Sequence, residues 1–496
     1  MPHPLPDKVY STAQIRTLDA CLIAAGTPGI ELMQSAADAV WLAITQRWPN
    51  AQRMSLLCGG GNNAGDGYLL ALLAKLAGWQ VQVFTLADPV TLRGDAATAH
   101  RRAQEQGVSM QPWDAQTELF GVIVDALLGT GLRGEVRAEY QQAIKAINAA
   151  VGPVVAVDLP SGLDADRGVV LGCAVVAELT VTFIALKLGL LTGVGPDYVG
   201  ELEFAPLANS VQHAPAAAFE RLSLDGWAGT LPPRKKAAHK GHFGHLLLVG
   251  GGHGMGGAIM LAAEAAMHSG AGKISVATRA EYVGPLLSRC PELMVHAIND
   301  TEQLRPLLEQ ADAVVIGPGL GRDQWAQSLL HAVLSWKGPR VLDADALNLL
   351  AKHDVLPRLG EDAVISPHPA EAARLLSSSN DEVQADRPAA LQRLVTALGC
   401  AVILKGAGSL VASEDATLAA VCSDGNPGMA VGGMGDVLSG LLGALLAQRV
   451  PAAKAARYGV LVHALAGDAA AAKGEVGMRA SDMFVPIRQY LNQREG

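Results

Sequence analysis

The sequence predicts an α/β protein of two domains, each built on a largely parallel sheet. Its 496 residues exceed one ordinary core, since single domains hold on the order of 100–200 residues and rarely pass ~300. Short apolar runs alternate with glycine turns and alanine-rich helical stretches, the pattern of strands joined by crossover helices. That rhythm lapses once, between Ala205 and Trp227 around ANSVQHAPAAA, and then restarts. The stretch reads as a connection, which gives expected domains at residues 1–220 and 221–496.

In the first half the expected strands are Met54–Cys58, Gln80–Thr85, Val122–Asp125, Val154–Asp158 and Leu179–Ile184. In the second they are His245–Val249, Lys273–Thr278, Ala313–Ile316, Arg340–Asp343, Ala363–Ser366 and Ala401–Leu404. Each is a run short enough for a buried strand and is followed by a turn or a helix. The C-terminal end reads as mainly helical, and no repeat at a period of 20 to 50 residues points to a solenoid.

Composition narrows the function. Half of the residues are hydrophobic, 17% are charged and 4% aromatic, with 55 glycines, which suits a Val/Leu/Ala interior and excludes disorder. The net charge is −9 and the longest basic run is Arg234-Lys235-Lys236, so nucleic acid is not an expected partner. The cysteines at 21, 58, 173, 290, 400 and 422 form no C-x-x-C pair and read as buried apolar groups in a reducing compartment. The N-terminal MPHPLPDKVYSTAQIRTLD lacks the apolar core of about 7–15 residues that an export signal needs. The longest apolar helix candidate, Val437 to Leu446, is far short of the ~20 residues that span a bilayer. A cytoplasmic protein without a membrane partner is expected.

Directly after the strand at Met54–Cys58 comes GGGNNAGDGY, in which Gly59, Gly61 and Ala64 satisfy a G-x-G-x-x-G/A spacing. Such a turn lets backbone N–H groups and a helix N-terminus approach a pyrophosphate, although alone it is as often structural as functional. Two further strands end in polar clusters, Asp125 opening DALLGTGLRG and Asp158 opening DLPSGLD. Residues just past strand C-termini share one edge of a parallel sheet, so Asn63, Asp125, Asp158 and Ser161 are expected to converge there. Either aspartate alone is equally readable as a cap or turn residue. Together the four oxygen donors favour a hard cation over zinc.

In the second half, DGNPGMAVGGMGDVLSGLLGALLA places Gly432, Gly433 and Gly435 before a long apolar helix starting near Asp436. Amides at such a start form an anion hole, and an acid fixed there can act as general acid or base on a substrate hydroxyl. No G-x-x-x-x-G-K-[ST] occurs, so phosphate cradling is not of the P-loop kind. GPGLG at 317–321, SPHPAE at 366–371 and KGAGS at 405–409 also follow expected strands. Lys405 has the charge to meet a nucleotide phosphate, and Gly406 and Gly408 give its loop room to approach. His368 is readable as a binding group or as a satisfied turn histidine.

The set NNAGDGY, DALLGTGLRG, VDLPSGLD and TFIALKLGLLTG, followed by HKGHFGHLLLVGG, VIGPGLG, DADALNLL, SPHPAEAARLL, LKGAGSLV and NPGMAVGGMGDVLSG, resembles the bifunctional NAD(P)H-hydrate repair enzymes across almost the whole chain. The resemblance implies an N-terminal Rossmann-like three-layer domain and a C-terminal ribokinase-like α/β domain. The first would epimerise the R and S hydrates of NADH and NADPH. The second would dehydrate the S form with ADP and Mg²⁺, returning the dinucleotide with AMP and phosphate. It further implies an epimerase pocket of Asn62, Asn63, Ala64, Gly65, Asp66, Gly129, Thr130, Gly131, Leu132, Arg133, Gly134, Glu135 and Asp158, with Asp158 as acid/base. A K⁺ ion would rest on Asn63, Asp125 and Ser161. In the dehydratase, Ala258, Gly319, His368 and Asp436 would meet the hydrate. Lys405, Gly406, Ala407, Gly408, Ser409 and Gly435 would meet the nucleotide, and Asp436 would be the base. A homo-oligomer is expected.

GGMGD alone also permits an ATP-dependent small-alcohol kinase of the ribokinase type, beside a first half that only binds. That alternative leaves the polar strand ends of the first half without a role. ADP against ATP, and NADH hydrate against NADPH hydrate, stay open at this level.

Overall fold

A computed structural model describes residues 3–208, 214–227 and 229–493. The chain divides into two compact units, Met1–Arg221 and Leu222–Gly496.

The first unit carries β1 (Lys8–Tyr10), β2 (Arg53–Cys58), β3 (Gln80–Thr85), β4 (Met110–Pro112), β5 (Val122–Ala126), β6 (Val154–Val157), β7 (Leu179–Phe183), β8 (Leu186–Lys187), β9 (Glu201–Ala205) and β10 (Phe219–Arg221). Its main sheet runs β4-β3-β2-β5-β6-β7-β9, and every neighbouring pair is parallel. The order reverses between β2 and β5, as in a doubly wound dinucleotide-binding fold. Helices at Gly29–Arg47, Asn62–Leu76 and Gly94–Glu105 bury one face against Met54, Leu56, Val124 and Val155. Helix Ala138–Ala149 covers the other against Leu57, Ile123 and Ala156. Strands covered on both faces have near-continuous apolar sequences, which made β5 and β6 legible, whereas β3 (QVQVFT) and β7 (LTVTF) were legible from their β-branched and aromatic residues.

The stretch read as a connection is not wholly one. Its residues 209–213 lie outside the described residues, but Phe219–Arg221 is a strand, pairing antiparallel with β1 through Val9↔Phe219 and Lys8↔Glu220. Three residues are too few to display an alternating pattern, so only the partner strand defines this one.

The second unit carries β11 (His245–Val249), β12 (Lys273–Thr278), β13 (Met294–Ala297), β14 (Ala313–Ile316), β15 (Arg340–Leu342), β16 (Ala363–Ile365), β17 (Ala401–Leu404), β18 (Ser409–Ala412) and β19 (Ala419–Cys422). They lie in the order β13-β12-β11-β14-β15-β16-β17-β18-β19. Pairs from β13 to β17 are parallel, and the last two are antiparallel. Helices Gly256–His268, Met434–Ala447 and Ala452–Ala471 share one core of Ala, Leu and Val side chains with this sheet. Two of them cross with almost no side chain between. A Cβ on Gly440 would stand 2.0 Å from the Ala262 carbonyl oxygen, and one on Gly443 2.3 Å from a Val315 methyl.

Among the described residues no helix is long and apolar enough to cross a membrane. None of the six cysteines forms a disulfide. Cys58, Cys290, Cys400 and Cys422 are buried as expected, whereas Cys21 and Cys173 are partly exposed.

Candidate active sites

In the first unit the C-terminal ends of β2, β5, β6 and β7 open onto one cleft of about 1150 Å³. Asn62, Asn63, Asp66, Gly129, Thr130, Gly131, Leu132, Arg133, Glu135 and Asp158 line it. Ala64, Gly65 and Gly134 are not on its wall. Ala64 is fully buried in the helix face, and a Cβ on Gly65 would stand 2.4 Å from the Met33 sulfur, so this pair seats helix Asn62–Leu76 on its neighbours.

Asp158 follows β6 with a φ of +70°, a conformation that costs a non-glycine residue free energy and persists only where the surroundings enforce it. Here the enforcing group is Lys187, 1% exposed. Its ammonium pairs with Asp158 Oδ1 and donates to Thr182 Oγ1 at 2.8 Å and to the Phe183 carbonyl at 3.1 Å. Phe183 N–H donates to the same Asp158 oxygen at 3.1 Å. Two more carboxyls act on this group. Burial, and then the charge of Asp158, raises Asp19 to about 6. Burial and the charges of Asp158 and Asp19 push Asp66 well above the usual carboxylate range. Neither Lys187 nor Asp19 had been expected from the sequence. Lys187 stands among leucines in ALKLGLL, and Asp19 lies in the distant helix Thr12–Ala24.

Of the expected cation ligands, Asn63 lines the cleft, while Asp125 and Ser161 are fully buried. Asp125, fully buried, accepts from Ser161 N at 2.7 Å, Ser161 Oγ at 2.6 Å and Leu127 N at 3.1 Å. Burial raises its carboxyl to about 6 against the pull of these bonds. Ser161 Oγ accepts from Leu128 N at 2.8 Å, and Asn63 Nδ2 donates to the Leu128 carbonyl at 3.3 Å. Asn63 thus meets the Asp125–Ser161 pair through Leu128. Its own Oδ1 is buried with no hydrogen-bond partner, an arrangement that costs free energy unless something positive sits there.

In the second unit seven strands run parallel, and residues that follow β15, β16 and β17 meet at their common edge. Helix Met434–Ala447 starts two residues earlier than expected, after Gly433 at φ +96°, with no side chain capping it. The first amides of a helix lack intrahelical partners and attract anions. A Cβ on Gly435 would lie 3.2 Å from Lys405 Nζ and 3.5 Å from Asp343 Oδ2, so the helix start faces these two groups directly. Lys405 Nζ is 2.9 Å from Asp343 Oδ1. Burial pulls that ammonium's pKa down, but Asp343 and Glu371 outweigh it and hold it above the ordinary lysine value. Burial and the Asp343 charge lift Asp436 to about 7, with Lys405 opposing.

The KGAGS loop turns on glycines at φ +141° (Gly406) and +57° (Gly408), closed by Ser409 Oγ donating to the Gly406 carbonyl at 3.0 Å. Beneath it lies Arg387, 1% exposed, donating to the carbonyls of Leu404 and Lys405 at 3.3 Å. Burial lowers its pKa to about 10. A methyl on Gly406 would stand 2.8 Å from the guanidinium. His368 caps helix Pro369–Leu375, its Nδ1 accepting from Ala370 N. Its Nε2 lies 3.4 Å from Glu371 Oε1. It is therefore both a satisfied turn histidine and a neighbour of the site, with burial and Lys405 lowering its pKa. Gly319, at φ +56°, packs on Ala258, where a Cβ would come within 3.1 Å of the alanine methyl. Asp345 ties that loop to the rest by accepting from Gly321 N at 3.0 Å.

Family models match both halves, one described as "YjeF-related protein N-terminus" over residues 29–189 and one as "NAD(P)H-hydrate dehydratase" over 246–489. The bifunctional NAD(P)H-hydrate repair enzyme of Coxiella burnetii is 46% identical over 489 residues, covering 98% of this chain and 99% of its own. The chain belongs to the bifunctional NAD(P)H-hydrate repair enzymes. The Escherichia coli repair enzyme is 43% identical over 468 residues, 93% of this chain and 89% of its own. A ribokinase-like superfamily protein from Enterococcus faecalis superposes with a TM-score of 0.51 at 32% identity, covering 57% of this chain and 98% of that one. The Rossmann-like and ribokinase-like expectations are borne out. The repair enzyme's first half carries the epimerase fold and its second the dehydratase fold. A kinase beside an inert binding module does not account for relatives alike over both halves.

Proposed function

We propose that the two sites divide the repair as follows, and that Asp436 facing Lys405 across Gly435 is the arrangement that carries the reading. In the first unit Asp158 is the acid/base that inverts the hydroxyl-bearing carbon of R- or S-NAD(P)HX. The glycine loop 129–135 and Asn62 to Asp66 hold the dinucleotide. K⁺ fits among Asn63 Oδ1, the Leu128 carbonyl, Asp125 and Ser161, because the partnerless Asn63 oxygen is a hard donor awaiting a cation. When bound, the ion supplies fixed positive charge beneath the cleft.

In the second unit ADP lies with its phosphates on Lys405 to Ser409 and on the amides at Gly435. The hydrate is held by Ala258, Gly319 and His368. Asp436 takes the proton from the hydrate's hydroxyl, whose oxygen attacks the β-phosphate of ADP as AMP leaves. Hydroxide is a poor leaving group near neutrality, whereas the phosphate ester departs as the neighbouring proton is lost and the ring double bond returns. Mg²⁺ would arrive on the nucleotide phosphates, and bound there it neutralises charge on the transferring group. Positioning and fixed dipoles suffice for the rest. A cytoplasmic homo-oligomer belongs to the same proposal.

The test supplies a mixed R/S hydrate, K⁺, Mg²⁺ and either ADP or ATP, and follows the absorbance of reduced nicotinamide. Recovery of both epimers supports both assignments. Recovery of the S half alone overturns the epimerase assignment, and a stable phosphorylated product overturns the dehydratase mechanism.

A further inference from the structure

Three carboxyls and one ammonium share the floor of the first cleft. Asp19 comes from helix Thr12–Ala24, Asp66 from helix Asn62–Leu76 and Asp158 from the end of β6, and all three line the cleft with Lys187. Lys187 is committed to Asp158, Thr182 and Phe183. Were all three carboxyls ionised, the floor would hold two uncompensated negative charges in a largely desolvated place, which is costly. A proton must reside among them.

The remaining surroundings decide where. Helix Gly29–Arg47 faces the cleft with the apolar Leu32, Met33 and Ala36, and Arg16, Asp95 and Arg133 also line it. The charges that act on Asp66 are those of Asp158 and Asp19, both adverse, and Lys187, favourable but already paired. Asp158 by contrast is held by the ammonium and a backbone N–H on one oxygen. Two carboxyls in one site with opposed environments are the usual way a fold supplies an acid and a base together.

We infer that Asp66 is the general acid of the epimerase, working as the protonated partner of the Lys187-held Asp158. The inference rests on Asp158 being the base, as proposed above. Hydration of an enamine places the new hydroxyl on the carbon bonded to the ring nitrogen. Asp66 gives its proton to that hydroxyl as the C–O bond breaks, the nitrogen lone pair forms a C=N⁺ bond, and water leaves. A water on the opposite face then adds to the same carbon, giving its proton to Asp158. Atoms and charge balance with no redox partner. The opposite epimerisation runs with the two carboxyls exchanged, and proton transfer through the cleft water resets them.

The experiment measures kcat for epimerisation against pH, in K⁺ buffer, for the full chain and for Asp66→Asn, Asp66→Glu, Asp19→Asn and Asp158→Asn. Since the acid must be protonated, the wild-type rate should fall along an alkaline limb. Asp66→Asn should lose that limb and about 100- to 10,000-fold in kcat, Asp66→Glu should restore part of both, and Asp19→Asn should keep the limb. Cooperative thermal melts of the same chains report folding, and an infrared carboxylic-acid band in the wild type that is absent from Asp66→Asn locates the proton directly. An alkaline limb that survives in Asp66→Asn, or one that vanishes in Asp19→Asn, overturns the assignment. If Asp158→Asn alone abolishes epimerisation, the base stands while the acid falls. If Asp158→Asn retains full rate, the underlying reading fails first.

Discussion

Asp343 holds Lys405 at 2.9 Å through one carboxylate oxygen while Ser439 Oγ donates to the other at 2.7 Å. The lysine is thereby aimed at the start of helix Met434–Ala447 before any phosphate arrives. Replacing Asp343 by Asn keeps the shape and removes the charge. The expected cost is about 2 kcal/mol of stability, the scale of a hydrogen bond to a charged group, together with a raised nucleotide KM. Thermal melts and dehydration kinetics check it. An unchanged KM would mean that Lys405 needs no aiming.

Asp436→Asn should lower dehydration by about 100- to 10,000-fold, the usual contribution of a general base, and leave epimerisation as it was. The two activities are measured on one preparation, so equal loss of both would contradict separate sites.

The pH dependence of dehydration follows from Asp436 ionising at about 7. A base must be ionised, so kcat should rise through about pH 7 and flatten above it. Stability runs the other way. With the folded pKa above the ordinary 3.8, the folded state binds more protons in between, and stability falls as pH rises through that window. Asp436→Asn should therefore melt higher than wild type at alkaline pH and converge with it in acid. A melting gap that does not vary with pH would show that this carboxyl is not strained by its surroundings.

Asn63→Ala removes the buried oxygen that lacks a partner. Epimerisation should then require more K⁺ for half-maximal rate, with dehydration untouched. If wild-type epimerisation runs equally fast with K⁺ replaced by a bulky organic cation, no potassium site exists here.

Much of the architecture was legible because buried parallel strands such as β5, β6, β11 and β14 are almost unbroken apolar runs, and a polar residue closing such a run marks the sheet edge where ligands bind. Asp125, Asp158 and Lys405 all stand at or near such ends, while Asp436 was marked instead by the glycines that precede its helix. Asp343 stands at one as well, closing the run at Arg340, and the same signal would have found it. Lys187, Asp19 and Arg387 gave no such signal. Lys187 sits in a leucine-rich stretch, Asp19 on the face of a helix remote in sequence, and Arg387 follows a helix cap where a solvated arginine is ordinary. Their roles come from burial, which only tertiary packing decides. β10 escaped notice because its pattern exists only in its pairing with Val9. Ala64 and Gly65 illustrate the reverse case, since a motif that binds through its backbone also contains residues that merely let a helix sit close.

The helix crossing at Gly440 and Ala262 bears on how this sequence can drift. A chain with few aromatic rings has filled its interior by letting main chains touch, so its tightest joints contain no side chain that could be trimmed. Such joints accept loss of bulk elsewhere but no gain of even one methyl group. Because the first turns of the two helices joined there carry Asp436 and Ala258, a mutation at the joint would be felt as misalignment between the two substrates long before it was felt as unfolding.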